Sequence, residues 1–117
     1  MADRQSFKLE SAGTLTVAAN KDRWQAPFAG QIINAAAVVG TAPTGAALIV
    51  DVLKDGVSVF GSNPKPTVAI NATEGIADAD QSVSRFAAGD TISLSVTQIG
   101  STVAGADLDV VVQFVAS

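Results

Sequence analysis

The chain has 117 residues, a net charge of −4 and a pI near 4.4, and it contains no His, Cys or Tyr. This composition excludes disulfides and catalysis by an imidazole, a thiolate or a phenol, and it leaves transition metals without their usual ligands. Lys and Arg form no cluster typical of a nucleic-acid-binding protein, and no apolar run approaches the roughly eighteen residues of a membrane span. The start, MADRQSFKLE, is charged and predicts no secretion signal.

Charged residues are only 15% of the chain, whereas 48% is hydrophobic and 5% aromatic. Small apolar side chains therefore dominate the core, and they suit the thin layer between two sheets. The low charge favours a protein that hides surface in an assembly, and the alternative is a monomer coated with Thr and Ser. The length suits one domain, which we place at residues 1–117.

The N-terminal part predicts an arm followed by strands. Residues 1–6 form the arm, which is expected either to reach a neighbouring subunit or to fray. Ser6–Ala18 alternates apolar and polar residues on both sides of Ser11–Gly13, which predicts a pair of strands joined by a turn. The segment Lys21–Phe28, with its charged triplet and the only tryptophan, is expected to be a loop.

The segment Ile32–Val39, IINAAAVV, predicts a central strand with Ile33, Ala35, Ala37 and Val39 on one face. Both faces of such a strand are largely apolar, as in the middle of a sheet. Alanine favours a helix, but glycine before the run and Gly-Thr-Ala-Pro after it leave only a short segment rich in Ile and Val.

The segment Leu48–Phe60 predicts a hairpin, in which Asp55-Gly56 forms the tight turn. An Asp-Gly pair accepts the positive φ angles that a two-residue turn requires. Gly61–Pro66 then predicts a loop, Thr67–Ile70 a short strand, and Asn71–Ser82 an acidic surface loop. The side-chain oxygens of this acidic loop could bind calcium, so the question of a calcium site stays open, although the ligand spacing of an EF-hand is absent.

The last third shows the clearest two-residue alternation. Thr91–Gln98 points Ile92, Leu94 and Val96 to one side, and Leu108–Phe114 repeats the pattern. This period predicts half-buried antiparallel strands. About eight strands separated by turns predict an all-β protein with an antiparallel β-sandwich, jelly-roll-like in architecture.

Carboxylates are the remaining candidates for chemistry. Asp78 and Asp80, and likewise Asp107 and Asp109, have the spacing that places two side chains on one strand face. A glycosidase needs two acids flanking a cleft with different pKa values, whereas these pairs have the context of solvated positions. We therefore expect no enzyme, no bound cofactor and no metal.

Five residues are candidates for contacting a partner: Arg4, Lys21, Arg23, Trp24 and Phe28. Trp and Arg are enriched where interfaces have their energetic centre, so Arg23, Trp24 and Phe28 together could form such an anchor. A sole tryptophan in a sandwich is equally often a plug of the core. Arg4 lies in the predicted arm, and Lys21 lies in the predicted loop.

Four motifs carry a family resemblance: PFAGQI at 27–32, GTAPTGAALIVDVLKDG at 40–56, FAAGD at 86–90 and GADLDVVV at 105–112. With these motifs the chain resembles small virion proteins of tailed bacteriophages. The resemblance covers most of the chain from Pro27 onward. It implies a jelly-roll-like β-sandwich assembled as a homotrimer.

Within that group the chain resembles capsid decoration, or cement, proteins, because it carries no fibre shaft, coiled coil or collagen-like repeat. The resemblance implies a non-enzymatic protein that is made in the bacterial host cytoplasm and binds the major capsid protein on the virion surface. The predicted partners are the capsid and further copies of the chain, not nucleic acid or membrane. The alternative is a receptor- or carbohydrate-binding module of a tail fibre or spike.

Overall fold

The computed structural model describes residues 4–116, which form ten strands and no helix. In chain order the strands are β1 (Arg4–Thr14), β2 (Ala18–Gln25), β3 (Gly30–Thr41), β4 (Leu48–Lys54), β5 (Val57–Ser58), β6 (Thr67–Val68), β7 (Glu74–Asp78), β8 (Arg85–Phe86), β9 (Thr91–Gln98) and β10 (Ala106–Ala116). Across these residues, no helix is long and apolar enough to cross a membrane.

The strands form two antiparallel sheets. The first, called the β1-sheet, has the order β1-β10-β3-β7 with β8 also paired to β3, and the second, called the β2-sheet, has the order β2-β9-β4-β5 with β6 also paired to β4. Successive strands change sheets from β1 to β2, from β3 to β4 and from β9 to β10. This alternation, with the first and last strands adjacent, is the jelly-roll arrangement. The predicted antiparallel β-sandwich is confirmed, with ten strands where about eight were predicted.

The core lies between the two sheets and follows the predicted alternation in the last two long strands. Ile92, Leu94 and Val96 of β9 are at most 2% exposed, and Phe114 of β10 is 3% exposed. The intervening Thr and Ser side chains of β9 face away from the core. The period of two therefore predicted both the strands and their buried faces correctly.

The Asp55-Gly56 turn is also confirmed. Both residues have positive φ, 48° and 87°, and Lys54 pairs with Val57 across the turn. The second strand is shorter than predicted, because β5 ends at Ser58.

The alanine-rich segment is a central strand, as predicted, since β3 pairs with β10 on one side and with β7 on the other. The predicted grouping of Ile33 on one face with Ala37 and Val39 is wrong. Asn34 pairs with Gln113 and Ile32 with Phe114, so Ile33 is an extra residue in the ladder. This bulge changes the side-chain phase, and Ile32, at 0% exposure, is buried instead.

The predicted N-terminal organisation is wrong. A single strand, β1, runs through Ser11–Gly13 with an irregularity there, and Gly13 has a φ of 78°. Arg4–Ser6 pair with Val115–Gln113 of β10, so these residues belong to a sheet and not to an arm. The remaining part of the predicted arm, residues 1–3, lies outside the described residues.

Two predicted loops contain strands. Most of Lys21–Phe28 lies in β2, which pairs with β9, and the acidic segment Asn71–Ser82 contains β7. Gly, Asn and Asp have low strand propensity, but the backbone groups of β3 and β9 need partners, and this tertiary pairing outweighs local preference. The predicted strand Thr67–Ile70 is present as β6, but it ends at Val68.

The sandwich is elongated, with extents of 44 × 22 × 20 Å. The turns at residues 26–29, 55–56 and 87–90 meet at one end, which we call the Phe28 end. Ala26 N donates to Asp90 O and Asp55 N donates to Thr91 O, both at 2.9 Å, and these bonds join the three turns.

Candidate functional site

Five of the six aromatic side chains form one cluster near the Phe28 end. The rings of Phe7 and Trp24 are stacked, with centroids 3.9 Å apart and an angle of 11° between the planes. Phe114 lies at the centre, because its ring centroid is 5.6 to 5.8 Å from those of Phe7, Trp24, Phe28 and Phe86. The cluster joins β1 and β10 of one sheet to β2 of the other.

Trp24 is half-buried within this cluster. One face of the indole is covered by Phe7, and the ring of Phe86 meets it edge-on at 6.0 Å. These contacts close the sandwich where β1 and β2, the edge strands of the two sheets, lie side by side. Phe28 is the most open ring of the cluster, at 36% exposure.

The charged candidates are distributed over both sheets. Arg4 lies on the outer face of the β1-sheet, whereas Arg23 lies on the outer face of the β2-sheet, opposite Ser93 in the register. Lys21 is half-buried, and its ammonium group donates a 2.8 Å hydrogen bond to the Thr16 hydroxyl. Arg4 and Arg23 therefore share an end of the sandwich with Trp24 and Phe28 but not a face.

Asp22 has a structural role that sequence reasoning missed. One carboxylate oxygen accepts a 2.8 Å hydrogen bond from Glu10 N, and the other accepts one from Arg23 N at the same distance. The first bond satisfies a backbone group on the free edge of β1 and ties the two edge strands together. The position of Asp22 inside a charged triplet gave no local sign of this contact.

Asp51 is the one carboxyl group in the described part of the chain that is classed as buried, at 7% exposure. Burial raises its pKa above the ordinary value of 3.8, and a 2.7 Å hydrogen bond from the Ser58 hydroxyl opposes that shift. No second carboxylate shares its site, so the paired acids that glycoside hydrolysis requires are not assembled here.

Three of the four carboxylates considered as pairs make structural contacts. Asp80 accepts hydrogen bonds from the hydroxyl and the backbone N–H of Ser82, which lower its pKa, and Asp107 accepts one from Gly13 N at 2.8 Å. Asp109 lies 4.0 Å from the ammonium group of Lys8. Within residues 4–116, no group of three or more His, Cys, Asp or Glu side chains could hold a metal ion.

The two outer faces of the sandwich differ in chemistry. The outer face of the β2-sheet carries the short hydroxyl side chains of β9, which are Thr91, Ser93, Ser95 and Thr97, and of these Ser93 is already buried. The outer face of the β1-sheet carries an apolar row in which Val111, Ala36 and Ile76 are neighbours in the register. Ile76 is 68% exposed, the largest value among the large hydrophobic side chains of the described residues.

Two shallow depressions lie near the β1-sheet. A groove of about 490 Å³ runs between β7 and the 63–67 segment, with Ile76 and Asp78 on its rim. A cleft of about 390 Å³ at the Phe28 end is lined by Lys54 and Arg85, among others. Neither contains an arrangement of groups that would support catalysis.

The fold is similar to chains in two phage capsid structures. One belongs to the capsid of Ralstonia phage GP4, with 14% identity, a TM-score of 0.58, and coverage of 98% of this chain and 84% of that chain. The other belongs to the acid-stable capsid of Helicobacter pylori bacteriophage KHP30, with 12% identity, a TM-score of 0.51, and coverage of 98% and 93%. No family model and no curated protein matches the sequence. At these identities the similarity shows the fold.

Proposed function

We propose that this protein is a structural virion protein without enzymatic activity, which binds the outside of a phage head as a homotrimer and stabilises it. The observation that carries the proposal is a jelly-roll that aligns over 98% of its length with chains from two phage capsids. The four sequence motifs shared with small phage virion proteins point in the same direction.

Such a protein acts through binding alone. If it binds the closed shell and not the free capsid subunits, mass action shifts the equilibrium toward the closed shell. A trimer near a three-fold position contacts several capsid subunits at once, so each added contact strengthens the whole attachment. This role requires a rigid scaffold and exposed contact surfaces.

The Phe28 end is the proposed capsid-facing surface. It carries the most open ring of the aromatic cluster, together with Arg23 and Lys54. The carboxylates of Asp55 and Asp90 at this end each accept a hydrogen bond from a backbone N–H, which holds them against the turns. An aromatic side chain flanked by cations is the composition expected at the centre of an interface.

The hydroxyl-rich outer face of the β2-sheet is the proposed trimer contact. Its Thr and Ser side chains lose little rotamer entropy when they are buried, and they can donate and accept hydrogen bonds across an interface. Half-buried Ile49 and Leu53 on β4 add apolar area to this face.

The decisive experiment mixes the purified protein with capsids that lack it and images the particles by cryo-electron microscopy. We expect added density at three-fold or quasi-three-fold positions. Combining Phe28→Ser with Lys54→Gln should abolish this density, whereas the control Thr102→Glu, at the opposite end with the same change in net charge, should retain it. Absence of wild-type density would refute the proposal.

The contribution of the N-terminus is tested separately. Deleting Met1–Asp3 leaves every residue of β1 in place, unlike a deletion through Ser6, which would remove pairing with β10. If the N-terminus contacts the capsid, this short deletion weakens binding while the melting temperature stays unchanged.

A carbohydrate-binding module is the competing function, and it depends on exposed aromatic platforms. Five rings pack against one another here, and only Phe28 is exposed to a third or more of its surface. A change in Trp24 fluorescence on addition of host glycans, in a protein that leaves capsids bare, would favour that function.

A further inference from the structure

The outer face of the β1-sheet exposes an apolar row at its centre. Val111, Ala36 and Ile76 follow one another across β10, β3 and β7, and Val38 lies in the next row. Ile76 and Val38 are 68% and 39% exposed. A contiguous apolar patch across three strands of a soluble sheet is typical of a surface that another molecule covers.

The two outermost rows of this face carry opposite charges, and each of the two rows between them carries a single charged side chain, Lys8 or Asp78. Arg4 on β1 and Arg85 on β8 lie in one row, because Arg4 pairs with Val115, Val115 with Gln31, and Gln31 with Arg85. At the other end of the face, the last row carries three acidic side chains, Glu10 on β1, Asp109 on β10 and Glu74 on β7. Between these charged rows lie the apolar row, which Lys8 continues onto β1, and a polar row that runs from Ser6 on β1 to Asp78 on β7.

The charged rows of this face are complementary to the same rows of a second copy. If a second copy is rotated by 180° about an axis that runs across the strands, each strand faces its own counterpart antiparallel and the rows exchange places. Arg4 then faces Glu10 of the second copy, and Arg85 faces Glu74 of the second copy. Rotation about an axis along the strands would instead place Arg4 against Arg85 and Glu10 against Glu74, which like-charge repulsion disfavours.

We propose that the outer face of the β1-sheet docks a second copy of the chain through this antiparallel two-fold contact. Two sheets pack about 10 Å apart with a rotation near −30°, so their corners diverge, and the long Arg and Glu side chains at the corners can reach across. The axis passes between the apolar row and the polar row, so Ile76 lies directly opposite Asp78 of the second copy and diagonally opposite Ile76 of the second copy.

The size of the face sets the strength of the contact. Four strands about 4.8 Å apart and four rows about 6.8 Å apart give roughly 500 Å² for each copy. The total of roughly 1,000 Å² is at the lower limit for a specific interface. The contact is therefore weak in dilute solution, and it gains strength where copies are held side by side, as on the shell of the proposed function.

Sedimentation equilibrium of the protein alone, from micromolar to millimolar concentration, tests the contact without capsids. We expect the mass to double as the concentration rises, either from monomer to dimer or from trimer to hexamer. Arg85→Glu should weaken this association at least ten-fold, because it places two acidic groups against each other. The double variant Ser101→Glu with Thr102→Glu makes the same change in net charge at two exposed positions at the end opposite Phe28, and it should leave the doubling intact.

The reciprocal variant makes the test specific. Exchanging the charges in the double variant Arg85→Glu with Glu74→Arg should restore the association, and circular dichroism verifies that each variant is folded. Ile76→Ser should weaken the association with its charges unchanged. A wild-type mass that never doubles, an equal effect of Arg85→Glu and of the Ser101→Glu with Thr102→Glu control, or failure of the charge-exchanged variant to recover would each overturn the proposal. None of these results depends on capsid binding.

Discussion

Replacing Phe114 with Leu measures what the ring geometry of the aromatic cluster adds to stability beyond burial. The Phe114 side chain is 3% exposed, and its ring lies within 5.8 Å of four others. Phe60→Leu is the matched control, because Phe60 is 0% exposed and takes part in none of the ring pairs found among residues 4–116.

Both substitutions remove similar apolar area, so their difference isolates the ring contacts. An aromatic pair contributes about 0.5–1.5 kcal/mol beyond the area it buries, and neighbouring pairs do not add fully. We therefore expect Phe114→Leu to lower the free energy of unfolding by about 2 kcal/mol more than Phe60→Leu does. For a domain of this length that difference corresponds to about 8 °C in Tm.

Urea unfolding followed by far-ultraviolet circular dichroism gives the two free energies. Near-ultraviolet circular dichroism of Trp24 provides a second signal, which should weaken in Phe114→Leu and persist in Phe60→Leu. Equal losses of stability in the two variants would refute the reasoning, because the cluster would then contribute nothing beyond buried area.

Three further substitutions test single contacts. Gly75→Ala places a methyl group on the carbonyl oxygen of Thr67, so we expect a loss of about 2 kcal/mol in urea unfolding. Burial raises the pKa of Asp51, so the wild type loses stability as pH rises from 3.8 through that raised pKa. Asp51→Asn removes this titration, so the melting temperature of the variant should rise relative to that of the wild type from about pH 3 to pH 7. Hydrogen bonds, first of all that from the Ser82 hydroxyl, lower the pKa of Asp80, so its carboxylate stabilises the fold above pH 3.8 and loses this effect as pH falls through the lowered pKa. Asp80→Ala removes the carboxylate, so the loss of stability in the variant should shrink in acid.

Each of these predictions has a contrary outcome. Gly40→Ala is the control for the first, since its nearest neighbour would be Asp107 Cβ at 3.3 Å, and an equal cost at both glycines would rule out the close approach as the cause. As pH rises, the stability of Asp51→Asn relative to the wild type should increase, whereas that of Asp80→Ala should decrease. A change in the same direction would contradict the assigned causes.

Local sequence predicted the strands and the turn whose residue pattern is complete within one short segment. β9 and β10 alternate without interruption, and Asp55-Gly56 meets the φ requirement of its turn without help from distant residues. β3 was recognised as a strand, but its inward face was not, because one extra residue at Ile33 shifts the phase. A bulge depends on the register with β10, which no short window of sequence contains.

The sequence named candidate contact residues but not their arrangement. Trp24 and Phe28 do lie together, but the residues that pack against them, Phe7, Phe86 and Phe114, come from strands far apart in sequence. Arg4 and Arg23 were expected in an arm and a loop, and both lie in edge strands. Edge strands with polar sequences resemble loops locally, since their pairing partner supplies most of the reason for their conformation.

The sequence by itself determined the all-β class, the tight hairpin and the exclusion of imidazole, thiol and disulfide chemistry, because these depend on residue type and on spacing of two. Only the tertiary structure decided which rows of side chains lie beside one another on each outer face. Arg4 and Glu10 lie on β1, whereas Arg85 and Glu74 lie on β8 and β7, and β10 and β3 separate them in the sheet. Hydrogen-bond register decides which of them share a row, and register is a property of the assembled sheet.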